Sequence, residues 1–193
     1  MSAFDEKKLM RRVAGYHDIR MDGMTDLVTR AMGMRVLDLG CNRGLVGFEF
    51  ANNGASMVHG LDNDRECIQA ARHLFCDLRN CEMRFEVADL SQGARALDVL
   101  GAQKYDVTLM LATYHKLKRV TKPDLLAGLM IELGRRTKCY FAYRGTSHEG
   151  AENEKEIDAI EFALDRFGFK LIHRSHISEE LGVAIIWKRN AHV

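Results

Sequence analysis

Seven short apolar runs, rich in β-branched and aromatic residues, alternate with stretches of helical periodicity, and this alternation constrains the fold more than any other feature. The runs are Arg35–Leu39, Ser56–Leu61, Met83–Ala88, Asp106–Ala112, Lys138–Tyr143, Phe169–His173 and Val183–Lys188. Each is too short for a buried helix and the right length for a strand. After Asp64, a candidate N-cap, Ile68, Ala71, Phe75 and Leu78 share one helical face. Thr121 and Asp124 form a capping-box pattern around Pro123, and Leu125, Leu126, Leu129, Met130 and Leu133 then give a buried stripe closing near Gly134. A third helix carries Ile157, Ile160, Leu164 and Phe167, with Gly168 as its C-cap glycine. Strands alternating with helices predict an α/β fold, a mostly parallel seven-stranded sheet covered on both faces. No helical pattern separates the last two runs, so the last strand is expected to return antiparallel.

Length and charge narrow the classes further. At 193 residues the chain suits a single domain, with residues 33–193 as the core and 1–32 as an N-terminal helical extension or lid. Its 28 Lys+Arg balance 27 Asp+Glu, which removes global basicity as an argument for nucleic-acid binding. No stretch approaches the roughly 20 apolar residues of a membrane helix, and the start, MSAFDEKKLMRR, lacks a signal-peptide apolar block. A cytoplasmic protein with no membrane partner is the expectation.

Five cysteines without a CxxC pair suit free thiols in a reducing compartment. Cys76 and Cys81 find no His or Cys spaced to complete four ligands, and His173 and His176, three apart in a strand-like stretch, point to opposite faces. No metal site is expected.

In an open α/β sheet, ligands bind beyond the C-terminal ends of the strands, where strand order reverses. The first such end reads Asp38-Leu39-Gly40-Cys41-Asn42-Arg43-Gly44, a glycine-bearing turn into a helix. A GxGxxG fingerprint begun at Gly40 would need glycines at Asn42 and Leu45, so a dinucleotide pyrophosphate is poorly served, which argues against a nicotinamide redox enzyme. The second strand ends at Asp62, 22 residues beyond Gly40, where a carboxylate can accept from two ribose hydroxyls; Asn63 and Asp64 follow. At the third strand's end, Asp89 can accept from an adenine amino group while Leu90 packs against the ring.

VLDLGCNRG with acids at Asp62 and Asp89 resembles class I S-adenosylmethionine-dependent methyltransferases over about residues 35 to 188. The resemblance implies a Rossmann-like core with S-adenosyl-L-methionine as cofactor. It places Asp38, Gly40, Cys41, Asn42 and Gly44 at the methionyl part, Asp62 at the ribose, and Asp89 and Leu90 at the adenine, with Asn63 and Ala112 as further cofactor-binding candidates. The family usually has glycine where this chain has Asn42. A narrower likeness, in GCNRGLVGFEFANNGA, Tyr16-His17-Asp18-Ile19-Arg20, Asp22-Gly23 and Tyr114-His115, is to methyltransferases that finish wobble-uridine modification in tRNA. Some relatives of that type use a carboxylated form of the cofactor. This chain departs from them at Lys116-Leu117-Lys118-Arg119, where they continue arginine-rich.

Methyl transfer is an in-line displacement at a strongly electrophilic sulfonium, so alignment and desolvation supply much of the rate. The fourth strand runs into Thr113-Tyr114-His115, beside the first strand's tip. His115 can take a proton from the acceptor and Tyr114 can orient it, while Thr113 offers a further hydrogen bond. Tyr16 and His17 are substrate candidates on a segment able to shield the site, and Arg144, after the fifth strand, can hold an anionic acceptor bidentately. Lys116, Lys118, Arg119 and Lys122 make a local basic cluster that either meets phosphates or is a solvated face. The expected function is methyl transfer to oxygen or nitrogen of a small-molecule acceptor. The alternatives are an RNA (tRNA) methyltransferase and a non-catalytic cofactor-binding partner protein.

Overall fold

A computed structural model describes residues 21, 23–76, 78–145, 150–175 and 182–190. All seven expected strands are present: β1 (Arg35–Leu39), β2 (Met57–Asp62), β3 (Glu82–Val87), β4 (Tyr105–Leu111), β5 (Thr137–Arg144), β6 (Phe169–Arg174) and β7 (Ala184–Arg189). They form one sheet in the order β3-β2-β1-β4-β5-β7-β6. The first five are parallel, and β7 runs antiparallel to both β5 and β6. Strand order reverses between β1 and β4, where Val36 pairs with Val107 and Asp38 with Leu109. That reversal opens a crevice at the strands' C-terminal ends.

The helices are α1 (Thr25–Thr29), α2 (Leu45–Asn52), α3 (Arg65–Leu74), α4 (Tyr114–Val120), α5 (Pro123–Arg136) and α6 (Gly150–Asp165), with a 3₁₀ segment at Leu90–Leu100. Because successive strand residues point to opposite faces, the core divides into two layers. Val36, Val58, Val107, Leu109 and Ala142 meet Leu27 of α1, Phe50 of α2 and Ile68 of α3 on one side. Leu37, Leu39, Met110 and Tyr143 meet Leu97, Leu129 and Ile160 on the other.

Local signals fix several boundaries. Asp64 caps α3, its carboxylate accepting from the Glu66 and Cys67 amides. The α3 helix stops at Leu74, however, so Phe75 is its C-cap and Leu78 lies beyond it. The expected capping box at Thr121 does not form: Thr121 is extended, Lys122 precedes the helix with no side-chain cap, and Pro123 occupies the first turn. The helix starts one residue later than the box would need, and the Thr121 hydroxyl is left buried without a hydrogen-bond partner. Leu125 faces solvent while Leu126, Leu129, Met130 and Leu133 are buried. The face is thus rotated from the expected stripe by one residue at its start. Gly168 takes φ 76°, as a C-cap glycine does. His176 lies outside the described residues, as do residues 1–20 of the expected extension.

Trp187, fully buried in β7, meets Phe141 and Tyr143 at ring-centroid distances of 6.2 and 6.4 Å. Trp187→Ala is expected to lower unfolding free energy by roughly 3–5 kcal/mol, the scale of a truncated core aromatic, in a chemical denaturation series.

Candidate functional site

The turn after β1 folds on itself. Gly40 (φ 68°), Asn42 (φ 51°) and Gly44 (φ 74°) are all left-handed. Asparagine tolerates that region better than other non-glycine residues. Its side chain adds a local bond, Oδ1 accepting from the Arg43 amide at 2.9 Å. The departure from glycine at this position therefore preserves the turn. A side chain at Gly40 would lie 2.4 Å from Thr113 Oγ1, so glycine is required where the tips of β1 and β4 meet.

Every amide from Gly40 to Gly44 is used inside the protein. Gly40 and Cys41 N–H both donate to Leu61 O, at 2.8 and 3.0 Å, and Gly44 donates to Cys41 O at 2.9 Å. The Asn42 amide donates to Asp62 Oδ2 at 2.8 Å. With the Arg43 amide also engaged, no donor nest for a phosphate remains. This turn offers acceptors, not donors.

The acceptors are two carboxylates. Asp62, ending β2, takes the Asn42 amide on one oxygen and the Asp64 amide on the other, at 3.0 Å. A carboxylate has about four lone-pair sites, so about two stay free for a ligand's hydroxyls. Asp38, in β1, is buried and accepts a hydrogen bond from the Gly47 backbone. Burial, and then the nearby Asp62 carboxylate, push Asp38 up to about 7. A cation entering here gains from both acids.

Other expected residues fall less evenly. Cys41 is buried, its thiol pushed up by burial and then by Asp38, so it enters the core and leaves its backbone to the turn. Asn63 is exposed beside Asp62. Asp89 is exposed and caps the 3₁₀ segment, accepting from the Ser91 amide at 3.0 Å and Gln92 Nε2 at 3.2 Å. Those bonds hold its carboxyl below the usual range. Leu90 turns into the core with Leu97 and Leu100, so its side chain is not an open platform for a ring.

At the tip of β4, Ala112 takes φ 57°, a strained conformation for alanine, and its amide donates to Arg144 O at 3.0 Å. Thr113 does not offer its hydroxyl outward: Oγ1 donates within the protein, with Leu39 O at 3.0 Å and Leu111 O at 3.1 Å. Tyr114 and His115 open α4 immediately after. Desolvation, Lys116 and Arg119 together pull the His115 imidazole below its ordinary value, which keeps it neutral and able to accept a proton. Arg144 is the last residue of β5, buried among strand neighbours and not on a solvated loop. Lys118 pairs with Glu152 at 2.9 Å, which removes one charge from the basic cluster. Tyr16 and His17 lie outside the described residues, as do Thr146–His148.

Sequence reading missed Gly47, whose amide serves Asp38; a side chain there would meet Val58 Cγ1 at 2.7 Å. The signal was a glycine inside a helix, where it otherwise costs stability. It also missed the buried pair Tyr143 and Glu156, hydrogen-bonded at 2.7 Å. Among the described residues no three His, Cys, Asp or Glu side chains come together to hold a metal ion, and no helix is long and apolar enough to cross a membrane.

Residues 36–131 match the model of a family described as a methyltransferase domain. No curated protein matches the chain. Magnesium protoporphyrin IX methyltransferase from Synechocystis PCC 6803, solved with S-adenosylmethionine, superposes with a TM-score of 0.66 at 17% identity, covering 98% of this chain and 86% of that one. The N-methyltransferase NodS from Bradyrhizobium japonicum WM9, solved with S-adenosyl-l-homocysteine, gives a TM-score of 0.66 at 9% identity, covering 90% and 86%. Both likenesses are of fold.

The electrostatics of Asp38 give a stability prediction. An acid whose folded value lies above its unfolded 3.8 favours the folded state at low pH, and that contribution drains away as pH rises towards about 7. Asp38→Asn carries no such loss, so it should raise the melting temperature more at pH 8 than at pH 5. Equal shifts at both pH values would contradict the placement of a buried, proton-holding acid.

Proposed function

Because this chain belongs to the class I S-adenosylmethionine-dependent methyltransferases, we propose that it transfers a methyl group from that cofactor to oxygen or nitrogen of a small-molecule acceptor. The observation that carries the reading is the acceptor-rich turn: all five amides from Gly40 to Gly44 are consumed internally, while the Asp62 carboxylate stands partly exposed at the end of β2 with the Asp38 carboxyl buried close behind it. S-adenosylmethionine suits that donor set, being cationic at sulfur and at its amino group and bearing two ribose hydroxyls but no phosphate. The cofactor supplies an electrophilic methyl group. Asp62 takes the ribose hydroxyls on its two open lone-pair sites, Asp38 attracts the charged methionyl end, and Asp89 receives the adenine amino group. Leu90 contributes backbone alone at that position.

On the acceptor side, His115 stands neutral at the tip of β4 and takes the proton that an incoming hydroxyl or amine must lose. Tyr114 and the buried strand ends exclude water from that side, and Arg144 and the residues of α4 supply positive charge for an anionic acceptor. A small acceptor is favoured because a protein of the same fold, magnesium protoporphyrin IX methyltransferase, acts on a small molecule. The runner-up substrate is RNA, supported by the exposed charges of Lys116, Arg119 and Lys122 beside the crevice.

Mass spectrometry of compounds released from the purified protein is expected to recover S-adenosylmethionine or its demethylated product; a carboxylated analogue would instead mark the narrower tRNA-modifying type. Incubation with tritium-labelled S-adenosylmethionine and a deproteinised host extract is expected to label the small-molecule fraction. Label confined to RNA would establish the runner-up, and no label in either fraction would leave a cofactor-binding partner protein. Asp62→Ala should weaken S-adenosylhomocysteine binding by roughly 1–3 kcal/mol in calorimetry, the scale of a lost hydrogen bond to a charged group. His115→Ala should retain that affinity while slowing transfer by about 10²–10⁴-fold, the range of general-base catalysis; an undiminished rate would remove His115 from the chemistry.

A further inference from the structure

We propose that Glu156 and Tyr143 form a buried positioning pair for methyl transfer, fixing Tyr114 and, through it, the start of α4 that carries His115. The inference rests on the reading of the crevice as a methyltransferase site. Tyr143, next to last in β5, donates its hydroxyl to Glu156 Oε2 of α6 at 2.7 Å. Tyr143 is fully buried and Glu156 is 3% exposed. The Tyr143 ring then meets Tyr114 edge to face, with centroids 6.4 Å apart and planes at 85°. Tyr114 is the first residue of α4, directly after Thr113, whose hydroxyl reaches Leu39 O at the tip of β1. One line of contacts therefore runs from Glu156 to both crevice-forming strand ends.

Keeping a carboxyl buried at this place has a cost in stability. Taking a carboxyl out of water costs free energy that one phenolic hydrogen bond only partly returns. Burial raises the Glu156 carboxyl above its ordinary value, and burial, then Glu156, raises the Tyr143 phenol. Trp187, Ile157 and Ile160 are buried in the same layer, while Asn153 is the buried polar neighbour of the pair. The chain is also shaped around the pair: a side chain at Gly145 would fall 2.7 Å from Tyr143 Oη and 2.3 Å from Asn153 Oδ1. Lys118 and Arg119 of α4 face Glu156 with Glu152 of α6, and the Lys118–Glu152 bridge joins the same two helices at the surface. A buried polar pair one ring contact away from the residues that end β4 is placed to position them.

The test uses the full chain with Tyr143→Phe, Glu156→Leu and Glu156→Gln, reading melting temperature, S-adenosylhomocysteine affinity and tritium transfer into the host extract. In the first two variants the melting temperature is expected to hold or rise and affinity to stay within about twofold, while transfer at saturating cofactor falls about tenfold, as for a misaligned reactant. Glu156→Gln keeps an acceptor oxygen for Tyr143 and should recover at least half of the rate lost in Glu156→Leu. Loss of rate in step with loss of melting temperature would overturn the proposal in favour of a packing role, and so would unchanged rates. A wild-type chain that neither binds S-adenosylhomocysteine nor transfers label would overturn the methyltransferase reading itself.

Discussion

The site depends on how the turn after β1 spends its hydrogen bonds. Five successive amides close on Leu61 O, Asp62, Asn42 Oδ1 and Cys41 O, which leaves carboxylate oxygens of Asp62 as the open hydrogen-bonding groups beside the turn. A phosphate at such a turn would find its donors occupied and the Asp62 carboxylate opposing it. A cation with hydroxyl groups finds the reverse. Satisfying the backbone N–H groups of this turn thus suits it to a sulfonium-bearing nucleoside better than to a pyrophosphate-bearing one, as the proposed site requires.

That arrangement needs backbone shapes most residues avoid. Asn42 and Ala112 both take positive φ, one at each side of the switch point, and Gly40 passes so close to Thr113 that a methyl group would not fit. Asn42 tolerates its conformation through its own side-chain bond, but Ala112 has no such relief. The strain at Ala112 is held by the Arg144 carbonyl and by Thr113, bonded on to β1. Strain held by neighbouring strands is characteristic of functional sites.

Fold and topology were legible because they rest on periodicity. All seven strands fall within one or two residues of their apolar runs, and Asp64 and Gly168 act as cap residues as their types imply. The errors lie where local chemistry competes with tertiary packing. Thr121 has the right type for a cap, yet the helix takes Lys122 as its N-cap and begins at Pro123, and Leu125 is rotated to solvent as α5 settles on the sheet. In the proposed site, spacing placed Asp62 at the end of β2 and the Gly40–Gly44 turn after β1, where the structure has them. Leu90 was not, since a leucine after a strand serves a ligand or the core equally well and here faces the core. Glu156 stayed invisible because only the fold brings it to Tyr143, 13 residues away.

The central claim, that the tips of β1, β2 and β3 meet on one sulfonium nucleoside, is tested most directly by a crystal structure grown with S-adenosylhomocysteine. The account predicts both ribose hydroxyls within hydrogen-bond distance of the Asp62 carboxylate, the adenine beside Asp89 and the amino group towards Asp38. Density for the ligand away from these three acids, or a ribose turned from Asp62, would contradict it.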